Sequence, residues 1–370
     1  MAMKFTAQAG ALADATLLAT MSVRGNTKIL KPSDGAARVS AAANIVDVGC
    51  FDRCVTIRAS AAATVIEPGS VAVPADRLFK LVSGFAPDAM ITMAEGVITR
   101  GDTSRYKLPT IPIGDLPELA AIDDEIAGIT LTGDHVLTLL EPVVAADDEA
   151  TRKYFNSVFL QTVDDDLVAT STNGSRLIRT TVMAAPFAPG RDLILPEPSA
   201  ITLRKLIRQI KPPKVIARRS KSLFAAATPE FTLTTKLIDY EYPDLQRVIP
   251  ASTEDTVTLA RAELKGVLTR LAAAATDDGV SLIVLDWSHD APLEIYLVRQ
   301  PDAGTDLIDA DAKAAARIAA PLSGLAALIE EIRGEHIEIM GTNPIRICAT
   351  DNARKFALLC QCHWNFAERS

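Results

Sequence analysis

The chain has 370 residues, 48% of them hydrophobic, with 38 Lys and Arg against 46 Asp and Glu for a formal net charge of -8. That is enough for more than one core of ordinary size; short apolar runs broken by charge or Pro exclude the roughly 20-residue span of a membrane helix, and Met1-Ala2-Met3-Lys4 lacks the basic and apolar blocks of a secretory signal. Five scattered cysteines, Cys50, Cys54, Cys348, Cys360 and Cys362, exclude a disulfide framework and point to reduced thiols in the cytosol.

Lys4-Phe5-Thr6-Ala7 predicts a first strand, followed by a helix through Leu12, Leu17 and Leu18. Val73-Pro74-Ala75 then leads into a second helix ending near Val82. Three runs, 89–93, 96–99 and 105–108, alternate as strands with one wet face. The same grammar returns twice. Ile129-Thr130-Leu131 leads to Val136, Leu139 and Leu140, and Leu195-Pro196 leads to Ile201, Leu203, Leu206, Ile207 and Ile210. Val257-Thr258-Leu259 leads to Leu264, Val267 and Leu268; Ala320-Pro321 leads to Leu325, Leu328 and Ile329, with strands at 335–339, 345–348 and 356–360. Copies recur about every 120 residues, far beyond solenoid periods, so each copy is a whole domain. Pro-rich exits at 112–117 and 242–250 set boundaries of 1–122, 123–250 and 251–370. Helices separated by hairpins, not strand-helix-strand units, give an α+β class: three similar domains, each with two helices packed on antiparallel sheets.

From Arg204 to Lys221 the chain carries Arg204, Lys205, Arg208, Lys211, Lys214, Arg218, Arg219 and Lys221 without an acidic residue. The local field, not the net charge, decides what such a segment attracts. Arg204, Lys205 and Arg208 are expected to share one exposed stripe opposite the apolar face of their helix, facing either water or a polyanion. Cys360-Gln361-Cys362-His363 contains no Cys-x-x-Cys knuckle, and buried thiols acting as small hydrophobes are the simpler reading. No Gly-rich phosphate loop or nucleophile motif is present, so neither a cofactor nor an enzyme activity is expected.

Several stretches resemble the bacterial DNA polymerase III beta subunit family, the sliding clamps. They are Met3-Lys4-Phe5-Thr6, Ser70 into Val73-Pro74-Ala75, Ser104-Arg105-Tyr106-Lys107-Leu108 with Pro112, residues 152–156, Thr172-Asn173-Gly174-Ser175-Arg176-Leu177, and Tyr242-Pro243-Asp244 with Arg247-Val248-Ile249-Pro250. The resemblance implies a head-to-tail homodimeric ring of six similar domains, with helices lining a central hole. It implies sequence-independent contact with duplex DNA through Arg24, Arg204, Lys205, Arg208, Lys265 and Arg270. It implies a subunit interface at Tyr106 and Leu108 on one side and Leu271 and Ala272 on the other. A peptide cleft for the polymerase III alpha subunit and the clamp loader delta subunit is implied at Phe155, Thr172, Gly174, Ser175, Arg176, Leu177, Pro243, Arg247, Val248, Leu359, Cys360 and Cys362. Membrane attachment is not implied; residence in the bacterial cytoplasm, associated with the nucleoid, is. The chain departs from the family at Cys360-Gln361-Cys362-His363-Trp364, at Gly324 and at Asp277 and Asp278. These departures leave open a divergent clamp-like scaffold with altered partners and no main replicative role.

Overall fold

The computed structural model describes residues 3–22, 32–52, 54–118, 120–146, 152, 154–183, 192–275, 281–298 and 304–363. Among them are six α-helices: α1 (Ala9–Thr20), α2 (Ala75–Val82), α3 (Gly133–Leu140), α4 (Glu197–Ile210), α5 (Arg261–Ala274) and α6 (Leu322–Glu331). They fall two to each third of the chain, as the repeat predicts.

The repeat has a local physical cause. Each second helix follows a strand that ends on proline: Gly69–Pro74, Leu193–Pro196 and Ala316–Pro321. Pro74 and Pro321 stand at the N-cap with φ of -59 and -65, where the ring presets the entering turn and the missing N–H forfeits no helical hydrogen bond. Each first helix leaves a strand directly, from Lys4–Gln8, Ala127–Leu131 and Thr256–Ala260. The α3 start is capped by Thr132, whose hydroxyl oxygen accepts the His135 N–H at 3.1 Å. In α1 the buried residues include Leu12, Ala15, Thr16, Leu18 and Ala19. The Thr16 hydroxyl is satisfied inside the helix by donating to the Leu12 carbonyl at 2.6 Å.

Packing divides the chain into two compact units, Met1–Leu137 with Pro198–Asp239, and Thr138–Glu197 with Tyr240–Ser370. The units follow the sheets, and the sheets run across the repeats. In the first unit an eight-stranded sheet has the order Ala127–Leu131, Val215–Arg219, Leu223–Ala227, Phe231–Lys236, Val55–Ala62, Ile45–Phe51, Ala36–Ala42, Gly69–Pro74. The join between thirds is an antiparallel pairing with Phe231 opposite Ala59 and Thr235 opposite Val55. A five-stranded sheet completes this unit: Thr64–Glu67, Lys4–Gln8, Met90–Ala94, Val97–Arg100, Ser104–Lys107.

In the second unit a nine-stranded sheet runs Leu193–Pro196, Ser157–Val163, Asp166–Thr172, Arg176–Val182, Asn352–Leu359, Ile345–Ala349, His336–Met340, Thr256–Ala260, Ala310–Ala312. Here the join sets Leu177 opposite Leu358 and Arg179 opposite Phe356. A four-stranded sheet follows: Thr305–Ile308, Leu293–Leu297, Leu282–Trp287, Ala316–Pro321. Between these sheets and α5 and α6 lies a core of Trp287, Leu264, Leu268, Leu285, Leu325, Ile329 and Ile339, all nearly or fully buried. Each such side chain contributes roughly 1.5–3 kcal/mol.

Candidate functional site

The hairpin at Thr172-Asn173-Gly174-Ser175-Arg176 is built from its own side chains. Asn173 Oδ1 accepts the Ser175 and Arg176 N–H groups at 3.1 and 3.0 Å, which bends the chain back on itself. Thr172 Oγ1 accepts the Gly174 N–H at 3.1 Å and donates to the Arg176 carbonyl at 2.6 Å. Gly174 has φ +93, and a Cβ there would lie 3.1 Å from the Phe155 ring. Glycine is therefore needed twice, for backbone conformation and for the close approach of that ring.

This hairpin borders a cleft of about 230 Å³ lined by Tyr154, Phe155, Thr172, Gly174, Ser175, Arg176, Leu177, Pro243, Leu245, Val248, Pro344, Leu358 and Cys360. Leu177 and Leu358 face each other across paired strands and are 4% and 2% exposed, so they form its base; Val248, 45% exposed, stands at the rim. Cys360 is held beside the hairpin by its N–H, which donates to the Ser175 carbonyl at 2.8 Å. The volume suits a few side chains of an extended peptide rather than a drug-sized ligand.

Aromatic rings support one side. Tyr154 packs edge-on against Phe155 at 4.6 Å and Tyr242 at 5.8 Å, and Tyr242 stacks on Phe159 at 4.3 Å. Burial, and then the neighbouring Tyr154, push the Tyr242 hydroxyl well above its usual range. The Tyr242 phenol thus stays neutral and serves as packing.

Nine of the expected cleft residues line this one cleft: Phe155, Thr172, Gly174, Ser175, Arg176, Leu177, Pro243, Val248 and Cys360. Leu359 does not. It belongs to the core beneath α6, where a Cβ on Gly324 would meet its side chain at 3.3 Å. Its neighbour Leu358 takes the cleft position, because successive strand residues point to opposite faces. Arg247 is highly exposed and pairs with Asp244 at 3.4 Å. Cys362 packs against Val284, Tyr296 and Ala319. Tyr154, Leu245, Pro344 and Leu358 were not named as cleft residues; Tyr154 and Leu358 lie within stretches that the sequence does single out, and Leu245 adjoins one.

The expected cationic surface divides. Arg24 lies outside the described residues, as do Asp277 and Asp278. Arg204 is 8% exposed, so it is not part of an open stripe; Lys205 and Arg208 are exposed on α4. The helical angle of Arg204 puts it beside Ala200, Leu203 and Ile207, at the margin of the apolar face. Lys265 Nζ pairs with Glu330 at 2.7 Å, and Arg270 makes two hydrogen bonds to Asp306 at 3.1 and 3.0 Å.

Of the expected subunit-interface residues, Tyr106 is 47% exposed on strand Ser104–Lys107, at the end of the five-stranded sheet. Leu108 is only 6% exposed, with its N–H donating to the Gly96 carbonyl at 2.8 Å, so it packs inside its own unit. Leu271, 1% exposed, is likewise core, whereas Ala272 beside it is exposed. The four-stranded sheet ends on Thr305–Ile308, where Leu307 is 63% exposed. Among the described residues no group of three or more His, Cys, Asp or Glu could hold a metal ion, and no helix is long and apolar enough to cross a membrane.

Comparison with known proteins adds independent findings. Residues 131–244 match the family described as DNA polymerase III beta subunit, central domain. The beta sliding clamp of Vibrio cholerae is 28% identical over 216 residues, 57% of this chain and 58% of the relative. That of Escherichia coli K12 is 27% identical over 224 residues, 59% of this chain and 61% of the relative. The matched region is thus less than two thirds of either relative. In three dimensions the DNA polymerase III subunit beta of Pseudomonas aeruginosa superposes with a TM-score of 0.89 at 20% identity, covering 98% of this chain and 100% of that one. The Caulobacter crescentus beta sliding clamp gives 0.88 at 22% identity, with the same coverage. The fold is therefore the clamp fold across nearly the whole chain.

Proposed function

We propose that this chain, a divergent relative that belongs with the DNA polymerase III beta subunits, is a sliding clamp. It is a non-catalytic processivity factor without a cofactor. Two copies close head to tail around duplex DNA in the bacterial cytoplasm, at the nucleoid, and tether the polymerase III alpha subunit and the clamp loader delta subunit through the cleft. The matched relatives are sliding clamps by name, which favours this reading over a scaffold outside replication.

The observation that supports it most is the cleft itself, where residues from 154 to 360 converge on an apolar base. An extended peptide placing two apolar anchors on Leu177 and Leu358 gains roughly 1.5–3 kcal/mol from each when fully buried. Ring closure is supported by two sheet ends of opposite charge. Ser104–Lys107 presents exposed Arg105 and Lys107; at the other end the exposed carboxylate is Asp309, just beyond Thr305–Ile308, because Asp306 is already paired with Arg270. Unlike ends attract and like ends repel, which favours head-to-tail pairing. Duplex contact is assigned to exposed cations such as Lys205 and Arg208, which act on phosphates without reading bases.

The test is topological. Placed on nicked circular duplex by a bacterial clamp loader, the protein is expected to stay bound through gel filtration and to be lost once the circle is linearised. Equal retention on both forms, or a monomeric mass at micromolar protein, would overturn the reading.

A further inference from the structure

We infer that the attraction for duplex phosphates is concentrated on α2, α4 and the turn after α4, and that α5 contributes almost none because its cations are already spent on neighbours. This rests on the sliding-clamp reading and says which helices of the clamp feel the DNA.

In the first unit Arg77 and Lys80 are exposed on α2, Lys205 and Arg208 on α4, and Lys211 and Lys214 just after it. None has an ion-pair partner within 4 Å among the described residues. Arg208 and Lys211 also border a hollow of about 470 Å³ with Thr132, Asp134, Leu137 and Ile207, where Asp134 is the one carboxylate among the described residues lining it and makes no ion pair within 4 Å with either cation. The apolar face of α2, through Ala75, Leu78 and Val82, is buried, so Arg77 and Lys80 point away from the core.

The second unit differs at every cation of α5. Arg261 donates from Nε to the Ile329 carbonyl at 2.9 Å and from Nη2 to the Glu330 carbonyl at 3.2 Å, closing the C-terminal end of α6. Lys265 is paired with Glu330 at 2.7 Å and Arg270 with Asp306 at 3.0 Å. Glu263 and Glu331 add further negative charge to α5 and α6.

An ion pair acts at a distance as a dipole, and its field fades faster than that of a lone charge within a Debye length of about 8 Å. A phosphate that displaced Glu330 from Lys265 would leave a carboxylate beside the polyanion. Such an exchange releases no net counterion, so it adds nothing to the salt dependence of binding, which grows by about 0.9 per phosphate neutralised.

The experiment is fluorescence anisotropy of a labelled duplex oligonucleotide with the full chain, titrated across salt. Arg77→Ala with Lys80→Ala, and Lys205→Ala with Arg208→Ala, are each expected to reduce the slope of log affinity against log salt by about 2. Lys265→Ala is expected to leave it unchanged, and Glu330→Gln to raise it by about 1 by freeing Lys265. Circular dichroism and solution mass confirm that each variant keeps its fold and assembly. A loss of about 1 for Lys265→Ala, or an unchanged slope for Glu330→Gln, would overturn the inference while leaving the clamp reading intact. A wild-type chain with no salt-dependent affinity for duplex would overturn the inference alone, since the clamp reading stands or falls on retention by nicked circles.

Discussion

Gly174 concentrates the requirements of the cleft in one residue. Its φ of +93 lies where L side chains are strained, and the Phe155 ring occupies the space that a Cβ would take. Gly174→Ala is therefore expected to cost about 1 kcal/mol or more in stability and to weaken peptide binding by displacing Phe155. Urea denaturation and a peptide titration measure the two effects, and a variant that kept both would show the ring to be incidental. Cys50 makes a different prediction. Burial, and then the charge of Asp76, push its thiol up from 9.0 to about 12. The folded state keeps a proton that the unfolded chain gives up, so this stability is complete below pH 9 and is lost as pH rises toward 12. Lys355 runs the other way. Burial holds its ammonium below the usual lysine range despite the partner Glu141, and that penalty fades as pH rises. Cys50→Ala is expected to flatten the alkaline fall of the unfolding free energy, read by urea titration, by roughly 2–3 kcal/mol at pH 11, and an unchanged fall would assign it to other groups.

At the scale of elements, the second helix of each third was legible because it rests on a local signal, a strand ending in proline before an amphipathic run. The tail strand was legible in place but not in parity. Phe356-Ala357-Leu358-Leu359 is apolar throughout, so alternation could not say that Leu358 faces the cleft and Leu359 the core. Two burials were not read: Arg204 sits in the middle of α4 but at the edge of its apolar face, and Leu108 lies just past the end of strand Ser104–Lys107. The pairing of Phe231–Lys236 with Val55–Ala62 had no sequence signal at all, since partners so distant in the chain are chosen by tertiary packing. Sheet ends are where such pairing remains open. On the proposed closure Ser104–Lys107 faces the end that carries exposed Asp309 beyond Thr305–Ile308, and Arg105→Glu with Lys107→Glu places acid opposite acid. This double variant is expected to raise the dimer dissociation constant by about 100-fold or more, read by sedimentation across a dilution series. A dimer as tight as the wild type would move the interface elsewhere.

The whole molecule separates its tasks. Every residue lining the cleft belongs to the second unit, and both walls are anchored on the nine-stranded sheet through the pairing of Arg176–Val182 with Asn352–Leu359. Ring closure, as proposed, would by contrast draw on the first unit through Ser104–Lys107 and on the second through Thr305–Ile308. A continuous hydrogen-bonded ladder fixes the distance between Leu177 and Leu358 whether or not a second copy is present. Peptide affinity should therefore be indifferent to assembly, while topological retention on DNA should depend on it entirely. The Arg105→Glu, Lys107→Glu chain is expected to bind a labelled clamp-binding peptide within about twofold of the wild type, a difference of roughly 0.4 kcal/mol, and to lose all retention on nicked circles. Anisotropy and gel filtration report the two quantities on the same preparation. A tenfold or larger loss of peptide affinity in the monomer would mean that the cleft is shaped by the partner subunit, and the separation of tasks would be wrong.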